Sequence, residues 1–189
     1  MARVVQVIDL GVQAQRPYKG TEKPPIQEIM VTYELGTEFL LDEDGNEDTS
    51  KPRWVSERLP LYNLAADKAK STKRYMALDP AKKYGGDWTQ LLGAGCLVAI
   101  VNNEKDGRTY NNVGGISPAL KGVPIPELVN EPKFFDQDNP DLEVFSSLPD
   151  WIQGIIRDGL GFPGSKLDGM LAGEPDTPKE EAEPDDFPV

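Results

Sequence analysis

The residues in this 189-residue chain best suited to chemistry are rings and cations, and no histidine accompanies them. Without histidine there is no side chain whose ordinary pKa serves a general base near neutral pH. Ser-His and Cys-His nucleophile pairs and histidine-containing zinc sites are excluded as well. Carboxylates could still hold a hard cation. The densest acidic run, "DEDGNEDTS", places Asp44, Asn46 and Asp48 at alternate positions. A calcium loop begun at Asp44 would need glycine where Thr49 stands and a bidentate glutamate where Val55 stands, so the pattern fails. The run reads as a solvated surface loop. No metal or cofactor is expected, and no catalytic constellation emerges, so an enzyme is the least favoured class.

Rings beside cations suit a different task. Single-stranded nucleic acid needs positive charge for its phosphates and flat faces for its bases. The candidates are Arg53, Trp54, Arg58, Tyr62, Lys73, Arg74, Tyr75, Lys82, Lys83, Tyr84, Arg108 and Tyr110. Trp54 and Arg58 lead, because strand alternation puts both away from the apolar face of "RWVSERLPL". The competing reading of Trp54 is a ring packed beneath the acidic loop. Tyr62 and Tyr75 flank a helical stretch, where tyrosine is more often core, and Trp88 reads as core. The lysines of 68–83 also suit a plain solvated helix face.

The net charge of −12 argues against a polyanion partner until it is divided. Residues 1–125 carry 16 Lys and Arg against 16 Asp and Glu, whereas residues 126–189 carry 4 against 16. Residues 51–83 hold nine basic and three acidic side chains. The chain thus has a basic middle and an acidic end. Its single cysteine, Cys96 in "CLVAIV", suits a buried apolar position and a reducing cytosol. The start, "MARVVQVIDLG", lacks the apolar stretch of a secretory signal, and no run approaches the length of a membrane span.

The elements that must position these residues follow from periodicity. "RVVQVIDL", "IQEIMVTYEL" and "RWVSERLPL" read as strands, with "GTEFLLDEDGNEDTSKP" a long loop between the second and third. "NLAADKAKSTKRYMAL" reads as a helix with Asn63 at its N-cap, and "DWTQLLG" as a short helix capped by Asp87 and stopped by Gly93. "CLVAIVNN" and "RTYNNVGGI" are strands joined through Asp106-Gly107, a favoured hairpin turn. Three strands, a helical stretch and two strands predict an all-β-dominated domain over 1–120. The order fits a five-stranded Greek-key barrel of the OB type, with a small β-sandwich as rival. Residues 121–163 are expected to wrap this domain without regular structure, apart from one short docking helix. That helix, in "SSLPDWIQGIIRDGLGF", offers Trp151/Ile155 and Ile152/Ile156 as i, i+4 pairs. Residues 164–189, rich in Gly, Pro, Asp and Glu, are expected to be disordered.

Three stretches carry a family resemblance: "VVQVIDLG", "LLGAGCLVAIVNNEKDGRTYNNVGGISPALKG" and "VFSSLPDWIQGII". Together they resemble the single-stranded DNA-binding proteins of tailed bacteriophages over most of residues 3–158. The third-strand region "WVSERLPLYN" is less aromatic, and the helix "AADKAKSTKRYM" more basic, than that family's pattern. The resemblance implies an OB fold and a non-catalytic role in phage DNA replication or recombination. It also implies location in the cytoplasm of the infected bacterial host and leaves room for an oligomer. Two other classes stay open: a phage interaction or inhibitor protein whose acidic third mimics DNA, and a structural phage protein built on a β-barrel.

The last residues, "EPDDFPV", are similar to the acidic run and apolar-proline-apolar tip that end cellular bacterial single-stranded DNA-binding proteins. Asp185 and Asp186 would steer the tip toward a basic pocket on a replication or recombination enzyme. Phe187 would anchor it, and Pro188 and Val189 would present the terminal carboxylate. A solubilising acidic tail is the plainer reading. Removing residues 174–189 is expected to leave folding intact and to tighten DNA binding at low salt, with the gain shrinking as ions screen the tail. Phe187→Ala alone is expected to abolish capture of the partner enzyme. A salt series of oligonucleotide binding and a pull-down check both. No change in either would leave the tail a solubilising end.

Overall fold

The first strand, β1 (Ala2–Gln13), is the shared wall of two separate cores. It pairs antiparallel with β2 (Ile26–Leu41), and the register slips between Val4 and Gln6 and again between Asp9 and Gly11. Each extra residue turns the following side chains to the opposite face. Ala2, Val4 and Val7 therefore pack into one core, and Ile8 and Leu10 into the other. Almost every residue of β1 is buried as a result, which is why this stretch is β-branched and apolar without clean alternation.

The computed structural model describes residues 1–173, with Lys105 and Arg108 described by backbone alone. β2 continues the sheet to β3 (Glu47–Pro60), while the start of β1 pairs with β4 (Gly95–Lys105), which pairs with β5 (Arg108–Pro118). The strand order is β3-β2-β1-β4-β5, and a short β6 (Lys133–Phe135) adds parallel to Gln6–Ile8 of β1. Among the described residues no backbone ladder joins β3 to β5, so the sheet is open where a closed barrel was expected.

Helix α1 (Lys70–Leu78) fills that opening, in contact with β3, β4 and β5. Arg74 is its bolt. Arg74, 7 % exposed, donates through Nε to Glu57 Oε1 of β3 at 2.8 Å and through Nη2 to the Val113 carbonyl of β5 at 3.4 Å. Glu57 also accepts from the Tyr33 hydroxyl of β2 at 3.1 Å and pairs with Lys70 Nζ at 2.8 Å. Burial, reinforced by this carboxylate, pushes the Tyr33 phenol well above its ordinary pKa, so it stays a donor. Below the bolt, Tyr75 and Trp88 meet edge to face at 5.4 Å inside the first core.

The second core lies on the other face of β1 and is covered by the C-terminal segment. Helices α2 (Leu142–Ser146), α3 (Asp150–Arg157) and α4 (Lys166–Ala172) bring Phe145, Ile152, Ile156 and Leu167 against Ile8, Leu10 and Met30. Of the two pairs expected on the docking helix, Ile152/Ile156 is buried, and Trp151 is exposed at 58 %.

Several expectations are corrected here. The long acidic loop is a hairpin arm: β2 runs to Leu41, β3 starts at Glu47, and Asp42 Oδ1 accepts from the N–H groups of Asp44 and Asn46 to close the tip. Asn63 does not cap a helix; its side chain accepts from the Ala65 N–H in a local turn, and α1 begins seven residues later. The wrapping segment contributes β6 and α2 as well as the docking helix. Disorder does not begin at 164, because Ser165 caps α4 by accepting from the Asp168 N–H, and Leu167 is fully buried. The expectations for Asp185, Asp186, Phe187, Pro188 and Val189 lie outside the described residues.

Two stability measurements test this architecture. Leu167→Ala is expected to cost about 2–4 kcal/mol in urea unfolding, as for other fully buried leucines. A cost near zero would mean that α4 does not pack. Glu57→Ala is expected to cost about 3–5 kcal/mol, because it strands the buried Arg74. The pair Glu57→Leu with Arg74→Met should recover most of that loss.

Candidate nucleic-acid interface

The β2–β3 arm and the β4–β5 hairpin project beyond the first core with a cleft of about 600 Å³ between them. The hairpin is tightly turned: Asp106 and Gly107 both take positive φ, at 52° and 73°, as a two-residue connection of this kind requires. Leu40, Pro52, Arg53, Trp54 and the exposed carboxylate of Glu38 line the cleft from the first arm, and Ile100 and Asn111 from the second.

Trp54 is 44 % exposed, and its ring is fixed in place. The indole Nε1–H donates to Glu34 Oε2 at 3.1 Å, and the two residues face each other across the β2–β3 ladder. Arg53 donates through Nε to the Phe39 carbonyl at 3.0 Å, which ties it to the opposite strand of the arm and leaves the exposed guanidinium at the cleft. A held ring, a cation and an amide can stack a base and meet a phosphate.

The other candidates are scattered. Arg58 is exposed but committed to Glu28, with Nη2 to Oε2 at 2.6 Å. Arg74 and Tyr75 are corrections: the first is buried in the Glu57 ion pair and the second is 1 % exposed in the core, so neither meets a ligand. Tyr84 is half-buried against the same core, with the exposed Lys83 ammonium 4.9 Å from its ring centroid. Lys73 and Lys82 are exposed on and after α1, and Tyr62 is exposed just past β3. Tyr110 is exposed at 47 % on β5 and is not among the residues that line the cleft. The Arg108 side chain lies outside what the structure describes.

Cys96 is fully buried, and burial pushes its thiol up to about 12, so it stays neutral. Burial also raises the Asp9 carboxyl, against the lowering pull of the Gly11 and Gln137 N–H groups. Among the described residues no cluster suits a metal ion, and no helix is long and apolar enough to cross a membrane. Comparison with protein-family models, curated proteins and solved structures gives no match.

Sequence reasoning missed Leu40, Ile100 and Asn111. Leu40 sat in a stretch read as loop, and Ile100 in an apolar strand that reads as core from its composition. The one available signal was the Asp106-Gly107 turn, which makes β4 and β5 a long hairpin whose far half has nothing to pack on.

Proposed function

We propose that this chain binds single-stranded DNA without sequence selectivity in the cleft between the two arms. The observation that carries the reading is the Trp54 ring, held by Glu34 at a cleft edge beside Arg53. Stacking accepts any base, because every base has a π-face, and the cation reads only the backbone. The strand order, with α1 bridging β3 and β5 through Arg74, is compatible with an OB-type barrel closed by side chains rather than by a ladder. On this reading the protein is non-catalytic and coats single strands during phage replication or recombination in the host cytoplasm. Its acidic C-terminal tip then recruits partner enzymes.

Binding of a labelled oligo-dT and of a blunt duplex, followed by anisotropy across a salt series, tests the proposal. The single strand is expected to bind tighter. Its log–log salt slope should be shallow, about −1.5 to −3, because only a few cations are free to meet phosphates. Trp54→Ala is expected to weaken binding by about 1–3 kcal/mol while the melting temperature stays nearly unchanged. Equal or tighter duplex binding, or an affinity indifferent to Trp54, would overturn the reading.

A further inference from the structure

Glu34 is 2 % exposed, and among the described residues no lysine or arginine pairs with it. A carboxylate in that position must be satisfied by hydrogen bonds alone, and four donors converge on it. Trp54 Nε1 is one. The other three belong to a distant segment: the Val129 N–H to Oε1 at 2.6 Å, and the Asn130 N–H and Nδ2 to Oε2 at 3.3 and 2.6 Å.

That segment, residues 119–132, is an irregular strap laid across the sheet. Its middle is pinned by Arg3, which donates to the Pro126 carbonyl at 2.7 Å and the Ile125 carbonyl at 3.1 Å. Pro126 lies so close to Gly36 of β2 that a Cβ there would fall 2.7 Å from the proline ring. The strap therefore reaches β2 in a fixed register, and its end at Val129–Asn130 meets the same carboxylate that holds the cleft tryptophan.

We propose that Glu34 is a positioning residue through which docking of the strap sets the Trp54 ring. With Val129 on Oε1 and both Asn130 donors on Oε2, the carboxylate is held with Oε2 toward the indole and cannot rotate without orphaning a buried charge. When the strap lets go, the carboxylate turns toward water and the ring loses its tether. Glutamine cannot substitute: all four partners are donors, and an amide would face them with its own NH₂ group. The effect on DNA rests on the cleft binding described above; the tie between strap and ring does not.

The test uses the full chain with ¹⁵N-labelled tryptophan and begins without DNA. The three indole N–H signals are recorded, and Trp54→Phe identifies one of them. Asn130→Ala, which leaves the ring and Glu34 untouched, is expected to shift the Trp54 signal and speed its exchange with solvent, with Trp88 and Trp151 unmoved. Glu34→Gln should do the same. A Trp54 signal unchanged in a folded Asn130→Ala variant overturns the proposal. With oligo-dT, Asn130→Ala is expected to weaken binding about tenfold, and that loss should vanish in a Trp54→Ala background, the sign of coupling. Equal losses in both backgrounds would overturn positioning through the ring. If Trp54→Ala itself leaves DNA affinity unchanged, the cleft reading fails instead, and the indole signals alone decide the tie between strap and ring.

Discussion

The Glu57 carboxylate is the group on which the first core depends. It sits on β3, almost inaccessible, and draws donors from both neighbouring layers: Tyr33 from β2, and Arg74 and Lys70 from α1. Through Arg74 the network reaches the Val113 carbonyl of β5. A sheet of order β3-β2-β1-β4-β5 leaves two unpaired edges that would otherwise gape or pair with another chain. Here a helix packs against both and is fastened by charge to one and by a hydrogen bond to the other. Such a pair contributes modestly to net stability compared with an apolar replacement, but removing one member is costly. It fixes where α1 lies, and so how far β3 and β5 stand apart where the arms begin.

The second core solves a different problem. A sheet of antiparallel strands can leave one face in water, but β1 presents apolar residues on both faces, Ala2, Val4 and Val7 to the first core and Ile8 and Leu10 to the second. β6 and helices α2 to α4 are the cover that the second face needs. Phe135 and Phe145, with ring centroids 5.6 Å apart, join β6 and α2 beneath that cover. The cover thus belongs to the folding unit, and the strap that leads into it passes the cleft on the way.

Strands were legible where burial imposes alternation. Ile29, Val31 and Tyr33 face Leu59, Glu57 and Val55 across the ladder, as their spacing implied. The Asp106-Gly107 turn was legible because only a few residue pairs accept two positive φ values. The β2–β3 arm was not. From Phe39 to Asp48 its strands stand in solvent, held by backbone pairing with no buried face to shape the sequence. Helix α4 was missed because its stability comes from one leucine inserted into a distant core, and a seven-residue segment containing a glycine has no local signal of that. Arg74 and Arg58 were misjudged for a related reason. A basic residue reads as free until its acid is found, and Glu57 and Glu28 lie 17 and 30 residues away.

That last point changes the physical character of the cleft. Counted along the chain, residues 51–83 form a basic patch. In the structure, Arg58, Arg74, Lys51 and Lys70 are each paired with a carboxylate, and of the cations left over only Arg53 lines the cleft. Long-range attraction from so few charges is weak and is screened within about 8 Å at physiological salt. On the proposed single-strand binding, affinity would then have to come from contact, and contact energy at a ring depends on its orientation in a way that a point charge does not. This is why a buried carboxylate beside Trp54 matters more here than another lysine on the rim would. Restricting the indole before a base arrives removes part of the ordering cost that binding would otherwise incur. For the single strand proposed to bind there, a cleft with one lining cation would depend on its ring being already in position, and Glu34 is the group hydrogen-bonded to that ring.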